Sequence, residues 1–593
     1  MKINFILAII TIILGIIIHI TILKKNKNFK HNIFLALLTG VIAITILIYP
    51  LQQQYTNTYT RILASFFYAI KCAGMGQNLE ILSKIDMNGI TGYFYFILLN
   101  ILFIIMPIIA VGFILSFLED VFVKTRLSLI KNKELHIFSE INEKSILLAK
   151  KLQNKNTQIV FTNINDKNKL NIKTINIKDK ITNLKLKNKR KIEFYMISNN
   201  EEQNLNETLE LIEKYKDQEN IKINVINDTE EATTILDSTD KGKITLEIIN
   251  EKERAIFNLL NEKPTFLNNI NKTISILIVG CGKLGKEFLK DATWCSMIDG
   301  YKLKILVIDK NANKIKENIN AEAPEFIENY DITFLNEDIK SEKSQEILKQ
   351  KNDINYILVS MDNDEKNLET AIMLRRLFLR EFLREPIINL WVSNEHKRTQ
   401  ISNIVNEKKN SYNLNTFGSI ENLYYQNNIV NSELEKLAIQ IHLFYDPEDK
   451  NLKRYNKLEY NKRSSRASAL HIKYKIYSVL EEQFKNNMKE NQKIFKQKYS
   501  KQIEEKLTKN EHERWVAYTR SIGYVKATIE QVEKYYEKSK SYVYYLARMH
   551  PALVEYEKLD KISKELSKIT KEKIDLKEND KKIIQNIYEK IEL

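Results

Sequence analysis

Three long apolar runs without a charged side chain dominate the first 118 residues and constrain the fold more than any other feature. They cover residues 4–22, 33–50 and 91–118. A helix of about 20 apolar residues can cross the hydrocarbon core of a bilayer. A secretory signal peptide is the alternative for the first run, but it would have a shorter apolar core and a small-residue cleavage site. Residues 1–126 therefore predict a transmembrane region with three helical spans.

Basic residues between the first two runs predict the orientation of the spans. Loops rich in lysine and arginine stay on the cytoplasmic side of a membrane. We therefore expect a multi-pass protein of the cell inner (plasma) membrane, with membrane lipid as a partner. Its N-terminus and residues 51–90 would lie outside, and everything after Lys124 would be cytoplasmic. The basic residues of the loop are Lys24, Lys25, Lys27 and Lys30.

Residues 61–77, in the predicted external segment, combine a short apolar stretch with a glycine-containing loop. The stretch from Ile62 to Ile70 is too short to span a membrane. Glycines two positions apart let successive carbonyls point in one direction, as an ion-selectivity filter requires. A pore loop is one interpretation, and an external helix without conduction is the other. The predicted pore residues are Cys72, Ala73, Gly74, Met75 and Gly76.

The rest of the sequence has the composition of a soluble protein. The chain has 593 residues, enough for three or four domains, and a net charge of +16. Lysines alternate with acidic residues along helical stretches, which is typical of solvated helix faces, so we expect no nucleic-acid partner. The spacing of Cys72, Cys281 and Cys295 suits neither a disulfide framework nor a metal site.

Residues 134–265 alternate short β-like runs with helical ones, which predicts a parallel sheet covered by helices. A dinucleotide site needs glycines directly after the first strand, where the chain approaches phosphate closely. The sequence there, from Ser139 to Ser145, contains no glycine. The segment therefore predicts a degenerate Rossmann-like domain that serves packing or binds another ligand.

Residues 272–420 repeat this plan with a G-x-G-x-x-G turn between a strand and a helix. The first glycine would form the turn, the second would admit a phosphate, and the third would let helix and strand pack. Asp309 ends the next strand, where a ribose-binding acid would lie. The alternative is that the glycines serve packing alone. The predicted nucleotide-binding residues are Gly280, Gly282, Lys283, Leu284, Gly285, Asp309 and Asp338.

Residues 421–507 predict a helical connector. Arg463 and Arg466 stand beside small hydroxyl residues in this segment. We expect this block to cap a helix, and contact with a phosphate is the alternative.

The C-terminal segment, residues 508–593, carries short motifs that suit a ligand pocket. His512 and Trp515 lie three positions apart, so they share one face of a helix. Trp515 and Tyr524 can stack on a base or close an apolar core. Arg514 can hold a phosphate through two N–H groups. The alternative is that His512 and Trp515 hold the core together.

These motifs resemble the ryanodine-receptor-type (RyR) repeat domain, with Tyr524 where tryptophan is common and without the glycine that usually follows. The resemblance implies a mostly α-helical domain. In prokaryotes, such a domain beside a TrkA-N type fold is similar to the sensor half of defence effectors that respond to nucleotide-derived messengers. The ligand-binding residues implied are His512, Arg514, Trp515, Tyr524, Arg548 and His550.

Residues 134–420 resemble the tandem TrkA-N type, regulator-of-conductance (RCK) fold of potassium transport. With the preceding spans and glycine loop, the order is similar to that of prokaryotic potassium channels. The threonine and tyrosine of the usual filter are absent, and Lys71 precedes the loop. The resemblance implies a sensor that changes shape on binding without hydride chemistry, and a homotetramer if the pore exists.

We therefore expect a ligand-gated membrane effector or ion channel that acts in antiviral defence. Its fold class would be a helical membrane region, cytosolic α/β tandem Rossmann-like domains and a mostly α-helical C-terminal domain. Its ligand would be a nucleotide or nucleotide-derived messenger, with NAD(H) and ATP among the candidates. No set of residues suggests catalysis, so we do not expect this protein to be an enzyme. The alternatives are a housekeeping potassium channel or transport regulator gated by NAD(H) or ATP, and a membrane-tethered oxidoreductase.

Overall fold

A computed structural model describes residues 2–25, 29–76, 78–129, 133–163, 174–184, 186, 190–405, 412–426 and 433–591. Part of the basic loop that predicts the orientation, residues 26–28, lies outside these ranges, as does Gln77, the last residue of the predicted pore segment. The chain forms two compact units, one from its first 132 residues and the other from most of the residues that follow.

The N-terminal unit is helical in its described residues. Its helices are α1 (Lys2–Lys25), α2 (Phe29–Ile48), α3 (Thr58–Ala73) and α4 (Ile90–Leu129). Helices α1, α2 and α4 are long and apolar enough to cross a membrane, in agreement with the three predicted spans. Small residues let them approach closely. A Cβ added at Gly15 would lie 2.3 Å from Thr39 Cγ2, and one at Gly40 would lie 2.1 Å from Met106 Sδ.

The second unit begins with a six-stranded sheet. Its strands are β1 (Glu134–Phe138), β2 (Thr157–Phe161), β3 (Thr174–Asn176), β4 (Ile192–Met196), β5 (Ile221–Ile226) and β6 (Thr245–Ile249). Its helices are α5 (Glu143–Leu152), α6 (Glu201–Tyr215), α7 (Glu230–Ser238) and α8 (Glu251–Glu262). Strands β2 and β4 are buried at every residue, as expected for a sheet covered on both faces. Asparagines 142, 200 and 250 start three of the helices by accepting N–H groups of the first turn.

A second six-stranded sheet follows. Its strands are β7 (Thr273–Val279), β8 (Lys302–Asp309), β9 (Ile332–Asn336), β10 (Tyr356–Val359), β11 (Ile387–Trp391) and β12 (Leu414–Phe417). Its helices are α9 (Lys283–Cys295), α10 (Ala312–Glu322), α11 (Glu342–Leu348), α12 (Asp364–Phe382) and α13 (Glu395–Val405).

The two sheets share one strand order. The first reads β3-β2-β1-β4-β5-β6 and the second β12-β11-β10-β7-β8-β9. Both correspond to the order 3-2-1-4-5-6 of Rossmann folds, in which the chain changes direction between the first and fourth strands. The strands on either side of these points pair in parallel. The predicted tandem Rossmann-like α/β fold is confirmed.

The C-terminal part is mostly helical, as predicted. Its elements are α14 (Glu433–Tyr445), α15 (Glu459–Leu480), α16 (Met488–Lys498), α17 (Lys501–Ser521), β13 (Val525–Lys526), α18 (Ile529–Ser539), β14 (Met549–His550), α19 (Leu559–Thr570) and α20 (Leu576–Glu589). Helix α17 passes unbroken through position 508, where the sequence predicts a domain boundary. Leu507 shares a core with Ile472 and Ile583, so the connector and the C-terminal segment pack as one body.

Candidate functional site

The turn between β7 and α9 has the backbone that the predicted nucleotide site requires. Gly280 has a φ of +82°, and a Cβ there would lie 2.9 Å from Met361 N, so glycine is needed. A Cβ at Gly285 would lie 2.3 Å from the Gly280 carbonyl oxygen, which makes this glycine a packing residue. A Cβ at Gly282 would have Asp362 Oδ1 as its nearest neighbour, 3.9 Å away. The space beside Gly282 is therefore open.

Gly282 lines a cavity of about 580 Å³ at the carboxyl ends of β7, β8 and β10. The cavity lies at the switch point of the second sheet, where folds of this kind bind ligands. The structure brings four of the predicted nucleotide-binding residues together here: Gly280, Gly282, Asp309 and Asp338. Three lysines also line it, at positions 310, 340 and 366.

The Asp309 carboxylate holds the glycine turn. Its Oδ2 accepts a hydrogen bond from the Cys281 N–H at 2.7 Å, and its Oδ1 accepts one from the Asn311 N–H at 2.7 Å. A carboxylate has about four acceptor sites, so Asp309 can also accept from ribose hydroxyls. Asp338 accepts from the Lys340 N–H and pairs with Lys310 at 2.9 Å, and these two contacts keep its pKa below the ordinary value.

Lys283 and Leu284, two of the predicted nucleotide-binding residues, do not line this cavity. The Leu284 side chain is buried in the core, and Lys283 lines a different cavity. Their N–H groups belong to the first turn of α9, and the N-cap residue Gly282 provides no side-chain acceptor for that turn. The N-terminus of a helix attracts anions because its first N–H groups lack helical partners.

The corresponding turn after β1 is occupied by local side chains. Asn142 Oδ1 accepts from the Ser145 N–H at 2.9 Å, and Asn142 Nδ2 donates to the Ile197 carbonyl at 2.7 Å. Ser139 Oγ accepts from the Ile197 N–H at 3.1 Å. These bonds use the polar groups that a dinucleotide turn would present, which fits the predicted degenerate site.

Arg514 is not available to a phosphate, contrary to the prediction for this residue. Its side chain is fully buried, and its Nε and one terminal nitrogen donate to the two Glu511 carboxylate oxygens at 3.1 and 3.0 Å. Lys475 Nζ lies 2.6 Å from the same carboxylate. A buried cation requires such a partner, and this requirement fixes Arg514 inside the protein.

His512, Trp515 and His550 form an aromatic cluster that supports the alternative of a core role. The His512 and Trp515 rings stack at 5.9 Å, and Trp515 meets His550 edge to face at 4.8 Å. His512 Nε2 lies 2.8 Å from the Val554 carbonyl oxygen, and His550 Nδ1 accepts from the Ala552 N–H at 3.1 Å. Both histidine side chains are buried.

Acid should weaken the folded state through His550. Burial, with a smaller contribution from His512, lowers the pKa of His550 from 6.5 to about 3. The unfolded chain therefore binds a proton at a higher pH, and stability is lost as the pH falls from 6.5 towards 3, by up to about 1.4 kcal/mol per pH unit. In His550→Asn, whose amide oxygen can replace the acceptor, denaturant unfolding should show a smaller pH slope. The same change at exposed His396 is the control, and equal slopes in all three proteins would contradict this account.

Tyr524 and Arg548 line a second cavity, of about 720 Å³, and are the two residues of the predicted RyR-type ligand set that do so. Arg548 donates to the Ile522 carbonyl at 2.7 Å and lies 3.7 Å from a Glu230 oxygen. The cavity is bounded by α7, α8, α9, α15 and α17, so it lies where the two Rossmann-like halves meet the C-terminal helices. It shares no lining residue with the cavity at the glycine turn.

The Arg463–Ser468 block does not cap a helix, because it lies within α15. Arg463 pairs with Glu230 at 2.7 Å and with Glu253 at 3.3 Å. Arg466 is buried among three glutamates. Both arginines therefore serve ion pairs between elements.

The predicted pore residues form the end of a helix. Cys72 and Ala73 belong to the last turn of α3. The Gly76 N–H donates to the Lys71 carbonyl at 2.7 Å and the Met75 N–H to the Cys72 carbonyl at 3.2 Å, with Met75 at a φ of +60°. This is the Schellman pattern of a helix C-terminus. The Lys71 and Cys72 carbonyls accept these bonds, so the predicted filter-like array of carbonyls is not formed here.

Sequence reasoning missed several of the side chains that line the second cavity. Glu253, Asp291 and Tyr518 belong to three different helices and to no recognisable motif. Asp291 is the one of these residues that the sequence could have revealed. It lies seven positions after Leu284 in α9, so helical periodicity places this acid on the apolar face of the helix.

Comparison with known proteins gives limited similarity. No family model matches the sequence, and no curated protein matches it. Among solved structures, the chain is similar to one described as a GsuK channel bound to NAD, with 13% identity and a TM-score of 0.32. The match covers 67% of this chain and 82% of that chain.

Proposed function

We propose that this chain is a multi-pass membrane protein whose cytosolic unit binds a nucleotide-type ligand at the β7–α9 turn and gates its membrane helices. The open space beside Gly282, at the switch point of a Rossmann sheet, carries the proposal. The proposed role is binding without catalysis. On the resemblance of residues 508–593, the ligand is a nucleotide-derived messenger made during antiviral defence.

The cavity offers separate contacts for the parts of a nucleotide. The first N–H groups of α9 and the Lys366 side chain suit phosphate oxygens, while Lys310 and Lys340 already pair with Asp338 and Glu369. Asp309 suits the ribose hydroxyls. The Asp362 carboxylate is the group nearest to the open space beside Gly282, so it would disfavour ligands that place many phosphate charges there.

Gating requires that the ligand favour one state of the membrane region. The chain leaves α4 at Leu129 and begins β1 at Glu134, so the last span and the first sheet are joined by a short connection. A shift from mostly closed to mostly open needs about 5 kcal/mol of differential binding. Several sites in a homotetramer, the assembly proposed for a pore, can supply this together.

Gly282→Val should abolish nucleotide binding and leave the fold intact. The backbone at this position is extended (φ −63°, ψ −160°), and the methyl groups of valine would fill the space beside the turn. A ligand at 100 times its Kd stabilises the wild type by about 2.7 kcal/mol, and the variant should lose this gain. Thermal unfolding of the full chain in detergent, with NAD, NADH, ATP, ADP-ribose and cyclic nucleotides as probes, measures it.

The matched control is Ala321→Val, which adds the same methyl groups on the exposed side of α10. It should respond to the probes like the wild type. If no nucleotide stabilises the wild type, or if Gly282→Val responds equally, the proposed site is wrong. Ion flux into liposomes, with and without the stabilising nucleotide, then tests gating. A steady potassium-selective current without added messenger would favour a housekeeping channel.

A further inference from the structure

The cavity of about 720 Å³ between the Rossmann-like halves and the C-terminal helices is lined by two residues that each carry a buried polar atom without a partner. The Tyr518 hydroxyl has no hydrogen-bond partner, and its residue is only 4% exposed. Asp291 is 6% exposed. Its Oδ1 accepts from Trp294 Nε1 at 3.0 Å, and its Oδ2 has no partner. Buried polar groups are nearly always paired, so two such atoms on one cavity wall point to a ligand that pairs them.

The charge of the cavity wall indicates the charge of that ligand. Nine acidic and six basic side chains line the cavity, although the chain as a whole has a net charge of +16. Several cations already have partners: Lys286 pairs with Glu322 at 2.9 Å, and Arg463 with Glu230 at 2.7 Å. Burial raises the pKa of Asp291, and Glu287 and Glu253 raise it further. A cation placed here would relieve this repulsion.

The spacing of the acids favours an organic cation over a metal ion. Among the described residues, the one His/Cys/Asp/Glu group compact enough to hold a metal consists of His442, Asp446 and Asp449, away from this cavity. The cavity acids are too dispersed to bind one small ion together. Its wall also carries tyrosine rings, which attract organic cations through their faces. These rings belong to Tyr460, Tyr518, Tyr524 and Tyr545.

We propose that this cavity binds an organic polyamine, with one ammonium group donating to Asp291 Oδ2 and to the Tyr518 hydroxyl. Further ammonium groups would reach Glu287 and Glu253, which line the same wall. The site is separate from the glycine turn, and it does not depend on the proposed nucleotide function.

Binding of spermidine to the full chain in detergent, measured by calorimetry and by thermal unfolding, tests the proposal. Asp291→Asn keeps the acceptor for Trp294 and removes the charge. It should weaken spermidine binding about 10-fold to 100-fold, which is the effect of losing a hydrogen bond to a charged group. Tyr518→Phe should weaken binding about 3-fold to 10-fold. Gly282→Val should bind spermidine like the wild type, so failure of the nucleotide site would not affect the result.

Putrescine and adenosine distinguish an amine site from a nucleoside site. Putrescine should bind more weakly than spermidine and compete with it. The proposal is overturned if spermidine fails to bind, if Asp291→Asn binds it like the wild type, or if adenosine alone binds in an Asp291-dependent way. An unchanged far-ultraviolet circular dichroism spectrum in each variant confirms that it is folded.

Discussion

Arg466→Met should destabilise the second unit by about 3–5 kcal/mol, the cost of breaking a buried ion pair by removing one partner. The Arg466 side chain is 1% exposed and contacts Glu435 and Glu459 at 2.6 Å and Glu247 at 2.7 Å. Methionine fills much of the same volume, so the loss is mainly electrostatic. Lys462 and Arg254 remain near Glu247 in the variant. These two cations cannot fully neutralise the three buried carboxylates.

Denaturant unfolding of the full chain, followed by tryptophan fluorescence, measures this effect. The chain has three tryptophans, at positions 294, 391 and 515, and all lie in the second unit. The control is Arg454→Met, which removes an arginine whose side chain is 54% exposed and pairs with Asp446. It should cost less than about 1 kcal/mol. Similar decreases in the free energy of unfolding of the two variants would show that the buried ion pairs stabilise the protein no more than an exposed one.

Glu511→Gln should cost a similar 3–5 kcal/mol, because it leaves two buried cations without an anion. Burial opposes ionisation of Glu511, yet Arg514 and Lys475 lower its pKa to about 2. A lowered carboxyl pKa stabilises the fold above the unfolded value, and this contribution is lost as the pH falls from about 4.5 towards 2. The difference between wild type and variant should therefore be full at pH 7 and should narrow in acid.

The matched control for this change is Glu557→Gln. Glu557 pairs with Lys509 at 2.6 Å, but its side chain is 63% exposed, so the loss should stay below about 1 kcal/mol. A second test replaces Glu511, Arg514 and Lys475 together by methionine. Replacing a buried ionic group by apolar residues is often neutral, so the triple variant should be more stable than Glu511→Gln alone. A triple variant that is less stable would contradict the electrostatic explanation.

The features that the sequence predicted well depend on local patterns. The apolar runs specify helices of spanning length because composition and length are sufficient for that. The β7–α9 turn follows from glycine spacing between a strand and a helix, and the structure places Gly280, Gly282 and Gly285 in the expected turn and packing positions. Strand alternation also predicts the parallel sheets.

The failure at Arg514 involves a partner that is distant in sequence. The Arg514 pattern suits a phosphate ligand equally well until Lys475, 39 positions earlier, is seen beside Glu511. The glycines after α3 suit a filter or a helix cap, and the hydrogen bonds to Lys71 and Cys72 decide between them. The boundary predicted at 508 marks where the C-terminal motifs begin; α17 runs across it from Lys501 to Ser521, and Leu507 shares a core with Ile583.

Helix α9 separates the two cavities: Gly282 at its start lines one, and Lys283, Lys286, Lys290 and Asp291 along its length line the other. A small rotation of α9 would therefore change the shape of both cavities. If a ligand in one cavity rotates α9, thermodynamic linkage requires that each ligand change the affinity of the other by the same factor. The affinity measured for one ligand would then depend on the concentration of the other. The concentrations of the nucleotide and the polyamine should therefore be varied together.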